Sequence, residues 1–399
     1  MLFSTVLLGH IMTITGATGL VAMNLWDLRK KYKQDKLSEK QIEKPLNLTE
    51  QYTQFFTNLG LMDTKKGDWI DCLGVDHKDF YSKVAFKLSD TLSVKDFQKD
   101  LENIRQKLEV DNLEIYYEAG KMVFRVRAKE LPTIPYAYQK TSKNLIPLGI
   151  DLEGNIVYWD TKQDPHAMII SGTGGGKSVL LNGMINHILN NSPASKLYVI
   201  DCKNGMELGL YENLKNVVAY ADSPKGAKSV IEAVEEEFNA RSKTLKEAGY
   251  RDFAKFVNDK PNTSMKRAYL IIDEFPDLND DEDTMSMLIE LVRKVRAVGI
   301  HILLASQRAT VDSIPSNLKN NIYCKIGMRM ADSHNSSLLI GHEGLEKLHP
   351  GEAIAIINNV ETFFKAYLIE DDTIMETVNK FSKVERENKS NQKVKDLFK

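Results

Sequence analysis

Cysteine is scarce in this chain, and what there is of it lies scattered. Cys72, Cys202 and Cys324 are the three in 399 residues. None stands in a C-x-x-C pair or in Cys/His spacing. That excludes a zinc module and a disulfide framework, and it fits a reducing cytoplasm. An excess of charge of one sign is missing as well: 53 Lys and Arg stand against 55 Asp and Glu, a net charge of −2. With no global basic field, any contact with DNA has to be local, for instance on a pore loop. Internal repeats and low-complexity linkers are absent. A chain of this length is expected to hold two or three folded units.

Charged side chains are also absent from Leu2 to Trp26. A helix of that stretch is roughly 37 Å long, enough to cross a bilayer core of about 30 Å with some tilt. Ser4, Thr5, His10, Thr13, Thr15, Thr18 and Asn24 dilute its hydrophobicity. Arg29, Lys30, Lys31, Lys33 and Lys36 follow at once, with no Lys or Arg on the other side. The expectation is a transmembrane anchor over residues 1–27 in the cell membrane, N-terminus outside and the remainder cytoplasmic. A cleaved signal peptide is the rival reading; it calls for a basic start, a shorter apolar core and an A-x-A-like site, which are lacking. Residues 28–50 read as a basic, polar linker.

Residues 51–144 read as a small α+β adaptor module. Phe97, Leu101, Ile104 and Leu108 recur at helical spacing, so one helix is predicted from Val94 to Leu108. Leu113–Tyr117 and Met122–Val126 alternate like two strands of a hairpin. No catalytic constellation stands there.

What organises the chain lies in residues 145–372. Ile169 and Ile170 end an apolar run. Ser171, Gly172, Thr173, Gly174, Gly175, Gly176, Lys177 and Ser178 follow, and then a helix-like pattern (Val179, Leu180, Leu181, Met184, Ile185, Ile188, Leu189). A glycine-rich turn between strand and helix aims backbone N–H groups, with the helix N-terminus behind them, at one point. That is a cradle for phosphate oxygens. Lys177 is placed to reach the β- and γ-phosphates of ATP, and the Ser178 hydroxyl to ligate Mg²⁺. The pattern G-x-x-x-x-G-K-[ST] asks for glycine where this chain has Ser171; Gly172 and the Gly174–Gly176 run supply slack beside it.

The segments beyond alternate as strand, helix, strand, which predicts an α/β domain with a parallel sheet. Leu197–Asp201 and Ala268–Glu274 are two of the strands. The second ends in Asp273 and Glu274, at the strand end beside which ligands of open α/β sheets bind. Asp273 can hold the water shell of Mg²⁺ while Glu274 orients and deprotonates the attacking water. A third strand, Gly299–Arg308, brings up Gln307, whose amide can sense the γ-phosphate. Ile322–Arg329 is a fourth. The helix expected from Thr284 to Val298 carries Arg293, Lys294 and Arg296 as a solvated face. Lys319 and Lys325 are candidate DNA contacts, against a reading as exposed solubilising lysines. A short helix is expected at Ile374–Phe381, in a charged tail over 373–399.

Taken together these segments resemble the motor domain of the FtsK/SpoIIIE family of DNA translocases, within the RecA-like P-loop ATPases. The matching features are Asp164-Pro165-His166, Gly176-Lys177-Ser178-Val179, Ile200-Asp201-Cys202-Lys203 with Glu207-Leu208, Arg241, Gly249-Tyr250-Arg251, Ile272 to Leu278, Gly299-Ile300-His301 and Ala305-Ser306-Gln307-Arg308. Arg329 and Glu346-Lys347-Leu348 fit too. Ser171 departs from the family pattern, as do Cys202 and Ala309, which stand where proline is usual, and the absence of an arginine near Asn335-Ser336-Ser337. The resemblance implies a RecA-like P-loop ATPase with a central, mostly parallel sheet, which the small module and the one transmembrane helix read above precede. It implies a homo-hexamer with ATP between subunits, and DNA, double-stranded and held by its backbone, in the pore. Arg329 becomes the candidate for an arginine acting on a neighbour's ATP, with a structural salt bridge as its alternative.

The layout of one membrane span, a small adaptor and a motor looks more like the FtsK-like coupling proteins of Gram-positive conjugative elements. By analogy it implies conjugation-channel or relaxosome proteins as partners. Two other classes stay open: a membrane-tethered P-loop ATPase acting on protein partners in a secretion or assembly machine, and a non-hydrolysing nucleotide-gated scaffold.

Overall fold

The computed structural model describes residues 46–77, 81–110, 113–127, 131–307 and 314–383. The expected membrane anchor, most of the linker, Arg308, Ala309 and the last residues of the tail lie outside them. Among the described residues no helix is long and apolar enough to cross a membrane. The chain divides into two compact units between Leu131 and Pro132.

The first unit opens with α1 (Leu46–Asn58), which begins inside the segment expected to be linker. Then come β1 (Ile70–His77), β2 (Tyr81–Leu88), α2 (Val94–Lys99), α3 (Leu101–Leu108), β3 (Leu113–Glu118) and β4 (Lys121–Arg127). The strands form an antiparallel sheet in the order β1-β2-β4-β3. Alternation puts Val84, Phe86, Met122 and Phe124 on one face, where they meet Tyr52 and Phe56 of α1, Phe97 of α2 and Ile104 of α3. Phe56 packs edge-on against Phe97 and Phe124 with ring centroids 5.0 and 5.6 Å away. The single helix expected over Val94–Leu108 is broken at Asp100, which closes α2 and opens α3 and whose carboxylate accepts from Asn103 at 3.0 Å. A short acidic side chain that bonds locally favours such a break over a helix interior.

The second unit starts thirteen residues earlier than the expected boundary after 144, since residues 132–144 follow the unit's surface. Within them β5 (Ile134–Pro135) pairs with a late strand, and Tyr136 N–H donates to Leu368 C=O at 2.7 Å. The elements that follow are β6 (Leu145–Asp151), β7 (Ile156–Asp160), β8 (His166–Ile170), α4 (Lys177–Asn191), β9 (Lys196–Asp201), β10 (Val217–Ala221), α5 (Pro224–Glu247) and α6 (Phe253–Asp259). After them come β11 (Ala268–Asp273), α7 (Glu282–Lys294), β12 (Ile300–Ser306), α8 (Ser316–Asn321), β13 (Cys324–Met328), α9 (Ser333–Ile340), β14 (Glu352–Ile357), β15 (Val360–Leu368) and α10 (Asp371–Phe381). The helix expected to reach Val298 stops at Lys294 and tightens to a 3-10 turn over Val295–Val298.

The sheet runs β10-β9-β11-β12-β8-β13-β14-β15-β6-β7, with β5 beside β15. From β10 to β13 every pair is parallel; from β13 to β7 every pair is antiparallel. It is therefore a mixed sheet, a parallel central block with an antiparallel flank on one side. The cause is two hairpins. β14 turns into β15 through Asn358 and Asn359, both left-handed (φ 52° and 60°), the backbone that a two-residue hairpin of matching twist requires. The parallel strands are buried on both faces, one covered by α5 and α7, the other by α4 and α10. Because α10 packs on α4, with Asn186 Nδ2 donating to Thr377 Oγ1 at 2.8 Å, it belongs to this unit and not to a detached tail.

Candidate nucleotide site

The C-terminal ends of β8, β9, β11, β12 and β13 meet along one edge, in a register that puts Asp201 beside Asp273 and Asp273 beside Ala305. The phosphate loop leaves β8 there and enters α4 at Lys177. Backbone bonds hold it from three sides. Ser171 N–H donates to Ser306 C=O at 3.1 Å, Gly172 N–H to Arg329 C=O at 2.7 Å, and Gly351 N–H to Gly175 C=O at 2.9 Å.

The left-handed positions of the loop are Gly174 (φ 73°) and Gly176 (φ 111°). Ser171 is not among them, so the residue that departs from the motif occupies a backbone open to any side chain. It is fully buried, and its hydroxyl donates to Gly172 C=O at 2.9 Å. Thr173 and Gly174 are exposed on the rim, while Ser178 is half-buried in the first turn of α4.

Lys177 turns its side chain inward, where Nζ donates to Asp273 Oδ1 and lies 3.2 Å from Glu274 Oε1. Burial raises the Asp273 carboxyl above the usual range despite Lys177 beside it, with Glu274 and Glu207 pushing the same way. Asp273 Oδ2 is buried with no hydrogen-bond partner among the described residues. Glu274 leaves the strand in a left-handed conformation (φ 54°, ψ 51°), a strained one for glutamate. The turn sends its carboxylate back over the edge, where Gln307 N–H donates to both oxygens at 3.0 and 3.1 Å. Burial raises the Glu274 carboxyl, but the Gln307 amide, Lys177 and Lys203 outweigh it, and the group sits below its ordinary value.

An ATPase carboxylate pair set against a phosphate-loop lysine is now in view, and its relatives agree. Residues 134–311 match the FtsK/SpoIIIE family. Over that segment the chain is similar to the FtsK/SpoIIIE-family ATPases. The DNA translocase SftA of Bacillus subtilis (strain 168) is 34% identical over 223 residues, 52% of this chain and 23% of that protein. The DNA translocase FtsK of Oceanobacillus iheyensis is 31% identical over 226 residues, 52% of this chain and 28% of that one. The chain thus spans about a quarter of the length of these relatives. Among solved structures, the pCW3 conjugation coupling protein TcpA, in monomer form with ATPγS, shares the fold with TM-score 0.59 at 20% identity, covering 83% of this chain and 98% of that one. The type VII secretion ATPase EccC of Thermomonospora curvata does so with TM-score 0.54 at 22% identity over 64% of this chain and 33% of that one.

Of the residues expected at the nucleotide site, Ser171 to Ser178, Asp273, Glu274 and Gln307 do come together. Gln307 enters through its backbone amide. Arg329 lies on the rim of its own chain's phosphate loop, its carbonyl bonded to Gly172 and its side chain exposed, with no ion pair among the described residues. Lys319 and Lys325 are not plain surface lysines. Lys319 Nζ donates to Leu338 C=O, and Lys325 is half-buried, with its ammonium pK pushed down by burial and by Lys319.

Sequence reasoning assigned no role to Lys203, whose Nζ lies 3.2 Å from Glu274 Oε1. It also missed the loop that presents Lys203. Asp201 accepts N–H groups from Lys203 and Glu207 at 2.9 Å and from Leu208 at 2.7 Å. The polar residue ending β9, with lysine two positions on, was the signal available.

Proposed function

We propose that this chain is an ATP-driven DNA translocase at the cytoplasmic membrane, coupling DNA to a conjugative transfer channel. The observation that carries the catalytic part is the Lys177–Asp273–Glu274 cluster, closed by the Gln307 amide at the mouth of the phosphate loop. The loop amides and the α4 N-terminus receive the phosphates. Lys177 exchanges its carboxylate for phosphate oxygens. The buried, unpartnered Asp273 Oδ2 and the Ser178 hydroxyl fit a hard divalent cation, so these two residues would hold Mg²⁺. Held by these residues, such an ion would supply positive charge against the β- and γ-phosphates. Glu274 takes a proton from water as the water oxygen bonds to the γ-phosphorus. The bond to the bridging oxygen breaks, and ADP and phosphate leave. Gln307 stands where its side chain can report the γ-phosphate, and Arg329 where an exposed guanidinium can reach phosphate charge, its own chain's or a neighbour's.

DNA as the substrate, a ring of six copies around it and the transfer role rest on kinship. The relatives named above are DNA translocases, and the fold of a conjugation coupling protein covers most of this chain. The charge-free Leu2–Trp26 stretch followed by five basic residues supports a single-pass anchor with the motor in the cytoplasm. Fold likeness to EccC keeps a protein-secretion ATPase as the second reading.

The test is steady-state ATPase activity of the full chain with and without linear double-stranded DNA, beside Glu274→Gln. DNA stimulation of the native protein, and a loss of about 10²–10⁴-fold in the variant, is expected. Hydrolysis indifferent to DNA in a preparation that forms rings would overturn the translocase reading.

A further inference from the structure

Two lysines reach the same oxygen of Glu274, and only one of them has another task. Lys177 and Lys203 each place Nζ 3.2 Å from Glu274 Oε1. Once Lys177 turns to phosphate oxygens, Lys203 and the Gln307 amide are what remain on the carboxylate. The backbone brings Lys203 there. Cys202 N–H donates to Asp273 C=O at 3.2 Å, which extends the β9–β11 pairing one residue past the strands. The next residue on each side, Lys203 and Glu274, therefore leaves the sheet beside the other. The turn that follows Lys203, left-handed at Asn204 (φ 55°) and Gly205 (φ 71°), is fastened by the Asp201 carboxylate. The Lys203 side chain is only one-third exposed (33%), and that of Glu274 is 3% exposed. This is not a loose surface ion pair.

We propose that Lys203 is a positioning residue for hydrolysis: it holds the Glu274 carboxylate on the Gln307 amide, aimed at the attacking water, while Lys177 is engaged with phosphate. The inference rests on the reading of Glu274 as the general base. Lys203 touches neither water nor phosphate and acts through Glu274. Without it the carboxylate, held by one amide in a strained backbone, swings among rotamers and meets the water in fewer of them.

The experiment compares the full chain with Lys203→Met, Lys203→Arg and Glu274→Gln in three measurements. These are steady-state ATP hydrolysis, affinity for a fluorescent ATP analogue, and amide hydrogen exchange over the peptide ending at Gln307. Lys203→Met is expected to lower kcat about tenfold while KM and analogue affinity stay within about twofold, the signature of an interaction needed beyond ground-state binding. Exchange at Gln307 should accelerate, because its acceptor is no longer held in place. Lys203→Arg should restore most of kcat and of the protection, and it keeps the comparison available if the methionine variant fails to fold.

Wild-type kcat and unchanged exchange in Lys203→Met overturn the proposal. So does a rise in KM alone, which would make Lys203 a nucleotide-binding group. If Glu274→Gln hydrolyses ATP normally, the base assignment fails, and this inference with it. If Glu274→Gln is inactive while Lys203→Met is normal, only the role of Lys203 falls.

Discussion

The hydroxyl oxygen of Ser171 fills the space that a β-carbon on Gly175 would need. Arg329 C=O, 2.9 Å from that same point, and Gly172 C=O, 3.2 Å from it, close the other sides. Gly175→Ala is therefore expected to distort the phosphate loop and weaken ATP binding at least about tenfold, in the range where backbone has to move. The double variant Ser171→Gly/Gly175→Ala should recover part of that loss, since one obstacle is gone and two carbonyls remain. Ser171→Gly alone forfeits one hydroxyl hydrogen bond, about 1 kcal/mol of stability, with little change in affinity. Titration with a fluorescent ATP analogue decides it: a double variant no tighter than Gly175→Ala would show that Ser171 is not the obstacle.

A second expectation concerns the β14–β15 turn. Asn359 is left-handed, and Asn358 N–H is clamped at 3.0 Å by Asp164 Oδ2. Asn359→Val places a β-branched side chain in that backbone and should cost about 1–2 kcal/mol, whereas Asn359→Gly should be neutral or mildly stabilising. Urea unfolding of both variants checks the order; a neutral valine would mean that the turn is not of this type.

Acid stability is expected to depend on histidines away from the nucleotide. His166 is buried and accepts Ile302 N–H on Nδ1 at 3.1 Å, and burial, helped by Arg296, pushes its pK down to about 3. His187 is pushed down to about 4 by burial. Because the folded values lie below the unfolded ones, the unfolded chain takes up protons first. Stability is whole above about pH 6.5 and falls as pH drops towards the folded values. Each such histidine adds up to about 1.4 kcal/mol per pH unit between roughly pH 6 and 4.5. His166→Asn should flatten the slope of unfolding free energy against pH in that window; an unchanged slope would place the titration elsewhere.

The phosphate loop and Asp273 were legible in the sequence because strand, turn, helix and strand-end carboxylate are local patterns with one geometric meaning. Glu274 was legible as a residue but not as a conformation. Read as the last position of a strand, it is the first position out of it, and that turn is what sends its carboxylate to Gln307. The Ser171 departure mattered less than the motif suggests, since the loop places its left-handed backbone at Gly174 and Gly176. Lys203 was hidden because its partner is 71 residues away in sequence, and its approach depends on an inter-strand bond. The antiparallel half of the sheet had a signal, Asn358-Asn359 between two apolar runs, that strand-and-helix alternation upstream overshadowed. Lys319 and Lys325 looked like solvated lysines because periodicity around one residue says nothing of which distant backbone will cover it.

The three bonds that shape the phosphate loop come from Ser306, Arg329 and Gly351. Two of these lie beyond the segment, 134–311, by which family kinship is detected. The segment that carries the family match thus does not hold all the backbone partners of its own phosphate loop. An emerging chain that carries Lys177 and both carboxylates still lacks the carbonyl and the amide that draw the loop into a cradle. The last of those backbone partners is Gly351, immediately before β14.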